Sequence, residues 1–205
     1  MHRHRRLPPI PGTGLPPRGL FVSRWRSLLA AARLEDLARL DAAAFSPDVL
    51  PLLFRATQQG WLVYVIGNEP GVAHGRVSDE RWESFSAELE QSLVAQGIAA
   101  RRYYACLEDP QGKGKHRRDS VFQFPNTGVL YHAAQEDGIE LTESWLLSSD
   151  SNELAAAWRA GVRTMGLGSA AAPAHAELTV ETTRRQASLV LGLREVLALD
   201  PLARI

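Results

Sequence analysis

The six residues Trp61-Leu62-Val63-Tyr64-Val65-Ile66 constrain the fold of this chain more than any other stretch. An unbroken apolar run rich in aromatic and β-branched side chains has no polar face to offer water. It therefore belongs to a strand covered on both sides, as in the interior of a parallel sheet. Leu20-Phe21-Val22, Trp145-Leu146-Leu147 and Val162 to Leu167 repeat the signal more briefly, and Ala100 to Cys106 is a further strand candidate. Helical patterns separate these runs. Ser46-Pro47-Asp48 reads as an N-cap, a proline at the first helical position and an acid in the first turn, opening a helix that runs to Gln59 and stops at Gly60. Ser78-Asp79-Glu80 opens another, to about Gln96, whose Trp82, Phe85, Leu89 and Leu93 form one stripe. Further helices are predicted from Asn126-Thr127 to Gly138, from Asn152 to Ala160 before Gly161, and from about Glu181 to Leu199. Residues 27–43 read as a helical or irregular insert, and Leu107 to Arg118 as a charged loop. Strand and helix in alternation predict an α/β chain: a Rossmann-like three-layer sandwich with a mostly parallel central sheet and no large cap domain.

A chain of 205 residues with 45% apolar content fits one such domain, expected over residues 19–200. Lys+Arg and Asp+Glu both number 23, so no global field draws the chain to nucleic acid or to a membrane surface. No apolar run reaches membrane-spanning length. The lone Cys106 excludes an internal disulfide, which suits a cytoplasmic location. The basic start Met1-His2-Arg3-His4-Arg5-Arg6 is followed by prolines instead of an apolar segment, so residues 1–18 read as a flexible arm and not as a signal peptide.

One block is more specific. Phe45-Ser46-Pro47-Asp48-Val49, then Gln59-Gly60-Trp61, then Val65-Ile66-Gly67-Asn68-Glu69-Pro70-Gly71-Val72-Ala73-His74-Gly75-Arg76, follow one another in an order and spacing that resemble a known family. The resemblance is to the heptose 1,7-bisphosphate 7-phosphatases and histidinol-phosphate phosphatases of the haloacid dehalogenase superfamily. Tyr103-Tyr104, Cys106, Pro110-Gln111-Gly112 and Ala155 to Gly166 extend it, so that it spans about residues 19–168. It implies a haloacid dehalogenase-like fold and, for an intact member, a Mg²⁺-dependent phosphomonoesterase. An aspartate ending the first strand would attack phosphorus, and a second, two residues on, would act as acid and then base.

At those places stand Ser23 and Trp25. The phosphate-binding hydroxyl residue after the second strand aligns with Gly67, the phosphate-neutralising lysine with Phe124, and the metal aspartate after the third family strand with Ser149. Glu153 aligns with the later acid, and Asp150 lies one place beyond Ser149. The ligands of a structural zinc align with Cys106, Glu108, Ser120 and Phe122, of which one is a cysteine. The resemblance therefore implies lost Mg²⁺ and Zn²⁺ sites and no cofactor. The expected role is binding without hydrolysis. Arg24, Asn68, His74, Arg76, Arg117, Arg118 and Asp150 are the candidate ligand contacts, and the arginines with His74, Arg26 and Lys115 are expected to form a basic rim. The expected partner is a phosphorylated small molecule, another protein or a second copy of the chain. Two alternatives stand beside this: an active phosphatase with a rearranged site, and a structural subunit pairing with an active enzyme.

Overall fold

The computed structural model describes residues 16–168 and 184–199, with the side chains of Arg185 and Leu199 excepted. Most of the expected arm, and the first residues of the expected last helix at Glu181, lie outside that range. Six strands form one sheet: β1 (Arg18–Ser23), β2 (Trp61–Ile66), β3 (Arg102–Tyr103), β4 (Trp145–Ser148), β5 (Arg163–Leu167) and β6 (Arg184–Gln186). Their order is β3-β2-β1-β4-β5-β6 and every pairing is parallel. Parallel neighbours need crossovers, and six helices are described: α1 (Val49–Gln58), α2 (Pro70–Ala73), α3 (Asp79–Ala95), α4 (Gly128–Asp137), α5 (Ser151–Arg159) and α6 (Leu189–Leu199). Among the described residues this is a haloacid dehalogenase-like α/β sandwich without a large cap domain.

Alternation along the strands divides the core in two. Leu20, Val22, Val63, Val65, Leu147 and Met165 point to one face, where Leu53 of α1, Phe85, Leu89 and Leu93 of α3, and Leu193 of α6 cover them. Phe21, Tyr64, Ile66 and Leu146 point to the other, under Leu130 and Ala133 of α4 and Leu154 and Ala157 of α5. The run Trp61–Ile66 is thus apolar throughout because both of its faces are covered.

The elements differ from the sequence expectation at several ends. Ser46 does not cap α1; its hydroxyl donates to the Ser27 carbonyl, and the helix opens at Val49 after Asp48, whose φ of 59° is left-handed. Ser78 does cap α3, accepting from the Arg81 N–H at 3.2 Å. Thr127 precedes α4 without a side-chain cap, and Gly138 closes it with a φ of 65°. The strand expected over Ala100 to Cys106 shrinks to Arg102–Tyr103 plus a bridge between Asn68 and Cys106. The insert of residues 27–43 holds one 3-10 turn, Leu34–Asp36, and the start of a second, Ala42–Ala44.

In the described order β3-β2-β1-β4-β5-β6, sequence neighbours run outward from β1 on one side and from β4 on the other. The crevice beyond the carboxyl ends of β1 and β4 is therefore the topological switch point, where open α/β sheets bind their ligands.

Candidate functional site

A cavity of about 710 Å³ opens at that place. Its floor comes from the ends of β1, β2 and β4, through Ser23, Glu69, Ser149 and Glu153. Ala32 and Glu35 of the insert form one wall, and the loops around Asp109 and Phe124 form the others. Glu35 is fixed there by Arg76, whose Nε donates to Oε1 at 3.0 Å. Gly71 makes room for this contact, since a Cβ on it would lie 2.8 Å from Glu35 Oε2.

The chain brings Ser23, Trp25, Phe124, Ser149, Asp150 and Asn68 to this cavity, as their motif positions require. What these residues do there is set by two buried glutamates. Glu69, after β2, accepts hydrogen bonds from Arg24 Nη1 and from Trp25 Nε1, the latter at 3.1 and 3.2 Å to its two oxygens. Burial pushes this carboxyl up from its ordinary value, opposed by the Arg24 charge and the indole N–H. Arg24 is 1% exposed, also donates to the Tyr104 carbonyl at 3.1 Å, and lies over the Trp82 ring. The expectation that Arg24 belongs to a ligand-facing rim is corrected here: its guanidinium is turned into the protein to neutralise Glu69. Gly67 belongs to the same arrangement. A Cβ at this position would stand 3.3 Å from Arg24 Nη1, tighter than ordinary contact, so a larger residue here would press on the pair.

Trp25 lines the cavity without filling it. Its ring stacks on Phe85 of α3, with centroids 5.4 Å apart, so it becomes part of the wall and leaves the cavity open. Phe124 is 3% exposed and joins the apolar cluster of the α4–α5 face. Asn68 orders that loop: its amide donates to the Phe124 carbonyl and accepts from the Phe124 N–H, both at 3.0 Å.

The second glutamate, Glu153, sits in the first turn of α5 and is 4% exposed. Ser148 donates to it at 2.6 Å, and the Ser23 hydroxyl, which donates to the Trp25 carbonyl at 3.5 Å, lies close enough to favour its charged form. Burial, reinforced by the nearby Asp150 charge, raises its pKa to about 8 against the opposing pull of the serines and Arg24. Asp150 itself caps α5, accepting from Asn152 and Glu153 N–H groups at 2.8 and 3.1 Å. The sequence offered no base near Ser23. The fold places Glu153 beside it, a pairing across 130 positions that no local pattern reveals.

The residues at the family's magnesium station do not fit that ion. Mg²⁺ is a hard cation held by carboxylates in near-octahedral geometry. Here Ser23 and Ser149 present neutral groups, Glu153 keeps its proton at neutral pH, and Asp150 is committed to a helix cap. The zinc station fits no better. Cys106 Sγ donates to the Glu108 carbonyl and carboxylate, each at 3.5 Å, and Glu108 in turn takes Arg118 Nη2 at 2.5 Å. Hydrogen bonds among these side chains hold together the loop that a metal would otherwise tie. Among the described residues, no group of three or more His, Cys, Asp and Glu is placed to hold a metal.

The expected basic rim is not assembled. His74, Arg76, Arg117 and Arg118 stand outside the cavity wall. Three of them face acids of the wall from behind: Arg76 with Glu35, Arg118 with Glu108, and His74 with Asp109 at 3.6 Å. Lys115 pairs with Asp79 at 2.7 Å. Arg26, exposed at a φ of 55°, does reach the wall, together with Arg33.

No protein-family model matches the chain. The sequence is similar to the D-glycero-β-D-manno-heptose-1,7-bisphosphate 7-phosphatase of Haemophilus influenzae, 25% identical over 124 residues, covering 60% of this chain and 67% of that one. The corresponding protein of Pasteurella multocida is 23% identical over 152 residues, 74% of this chain and 80% of the relative. Among solved structures, the D,D-heptose 1,7-bisphosphate phosphatase of B. bronchiseptica, complexed with magnesium and phosphate, superposes with a TM-score of 0.70 at 18% identity, covering 89% of this chain and 99% of that one. A HAD-like protein of Mesorhizobium loti gives 0.74 at 20% identity, covering 98% and 90%. Sheet order, site position and these matches make the chain a member of the haloacid dehalogenase superfamily. Within it, the chain is homologous at low identity to heptose-bisphosphate-phosphatase-like proteins. Among the described residues, no helix is long and apolar enough to cross a membrane.

Proposed function

We propose that this protein is a non-catalytic relative of the sugar-phosphate phosphatases, acting in the cytoplasm by binding a ligand or a protein in sugar-phosphate or surface-polysaccharide metabolism. The observation that carries this reading is the chemistry of the cavity floor. Ser23 and Ser149 stand where the reaction needs two anionic oxygen donors, and Glu153, the remaining acid, is neutral at physiological pH. A floor whose carboxyls are protonated or already paired has little hold on Mg²⁺, and a cavity without a lysine at Phe124 has little hold on a transferring phosphoryl group. The Trp25 indole is far too weak an acid or base to serve in place of the acid/base, a loss worth about 10²–10⁴ in rate by itself. Gly67 and the Arg24–Glu69 pair support the same reading, because they fill the phosphate-binding turn with an internal ion pair. The test is hydrolysis of an aryl phosphate and of heptose 1,7-bisphosphate with Mg²⁺. The expected result is release of phosphate at the rate of the enzyme-free control, and turnover above it would overturn the reading.

One observation favours a second reading, a hydrolase with a rearranged site. The Ser23 hydroxyl lies near Glu153, a carboxyl that becomes a base when ionised above about pH 8. In that case turnover would rise with pH around 8 and vanish both in Ser23→Ala and in Glu153→Gln.

A further inference from the structure

We infer that the cavity takes an uncharged, hydroxyl-rich small molecule of saccharide type that carries no phosphate. This rests on the reading that the site binds without hydrolysing, and it names the class of ligand. The wall carries the carboxylates of Glu35, Glu108, Asp109 and Asp150 against two guanidinium groups, those of Arg26 and Arg33. Arg33 is already paired with Asp36 at 3.2 Å. Arg76 and Arg118 neutralise Glu35 and Glu108, the His74 ring stands 3.6 Å from Asp109, and none of the three lines the cavity. A phosphate group would therefore meet carboxylates on the cavity side, with Arg26, among the described residues, as its one cationic contact not already in an ion pair. Like charges at such distances repel, and most strongly where solvent is reduced.

The same wall suits hydroxyls. A carboxylate already paired from behind keeps lone pairs for further donors. The amides of Gln111, Gln123 and Asn126 add donors and acceptors between them. The Asn152 side-chain oxygen, belonging to another wall residue, is a buried acceptor with no donor among the described residues. Trp25 contributes an apolar surface against which the C–H face of a sugar ring can lie. A volume of about 710 Å³ is within the usual range of small-molecule sites and accommodates a disaccharide.

The test is calorimetric titration and thermal denaturation of the whole chain with free mono- and disaccharides, with mannose 6-phosphate, and with inorganic phosphate. A free saccharide is expected to raise the melting temperature by about 2–4 °C at saturation. Its affinity should stay within about twofold between roughly 50 and 500 mM salt, because an uncharged ligand is not screened. The phosphorylated sugar should bind at least tenfold more weakly. Tighter binding of phosphate or sugar phosphate, weakened by salt and by Arg26→Ala, would overturn the inference and leave the non-catalytic reading intact. Absence of binding by every free saccharide at millimolar concentration would also overturn it. Release of inorganic phosphate from mannose 6-phosphate would instead overturn the non-catalytic reading.

Discussion

Two glutamates lie buried beyond the two strands that flank β1, and the fold treats them in opposite ways. Glu69, beyond β2, is given a cation: Arg24 enters from the end of β1, and the Trp25 indole supports the pair. Glu153, beyond β4, is given a hydroxyl: Ser148 holds it, with Ser23 nearby and Asp150 close enough to repel its charge. The first remains part of a neutralised pair, and the second stays protonated. Either solution leaves the cavity floor with no uncompensated negative charge. Two neighbouring carboxyls have thus been silenced at the place where the superfamily's chemistry concentrates its anionic groups.

The sharpest way to break the contrast is to remove the cation. Arg24→Met leaves Glu69 buried with the Trp25 N–H as its remaining donor, and a loss of about 3–5 kcal/mol is expected in urea unfolding at pH 7. Adding Glu69→Gln to that variant should restore much of the loss, since no buried charge then lacks a partner.

The other half of the contrast responds to pH with a known sign. Glu153 holds its proton up to about pH 8 in the folded chain, whereas an unfolded glutamate releases it near its ordinary value of about 4.3. Between those two values the native state binds more protons, so this residue makes stability fall as pH rises. Glu153→Gln removes that dependence while keeping an acceptor for Ser148. Its stability should match the wild type near pH 4 and exceed it by a few kcal/mol at pH 8, the gap widening by on the order of 1.4 kcal/mol for each pH step of one in between. Thermal unfolding across this range measures the difference.

Smaller effects come from the glycines beside the two networks. Gly67→Thr restores the type of residue the family carries and forces its Cβ against Arg24, at an expected cost of about 1–3 kcal/mol in urea unfolding. Gly71→Ala displaces the end of the Glu35 side chain and loosens its pair with Arg76. That contact is half-exposed, so the expected cost is below about 1 kcal/mol.

The contrast also marks what sequence reasoning can reach. β2 and the stripe of α3 were legible because each carries its periodicity within a few residues, and their burial follows from it. β6, with the sequence Arg-Arg-Gln, was not: an edge strand this short has no apolar run to announce it. The motif positions did converge on one cavity, since strand ends in a parallel sheet share one edge. The state of the side chains there was hidden. An arginine at a strand end reads as exposed until its acid appears 45 positions later, and the acidity of Glu153 depends first on burial that only the packed fold supplies. Pairings of this kind are properties of the packed sheet edge and leave no trace in local spacing.

The most direct test is the titration of Glu153 itself, followed by the side-chain carboxyl ¹³C resonance and assigned by its absence in Glu153→Gln. A midpoint near pH 8 is expected, unchanged when Mg²⁺ is added in excess. A midpoint in the ordinary carboxylate range, or one that Mg²⁺ pulls downward, would show an anionic, metal-holding floor and contradict the account.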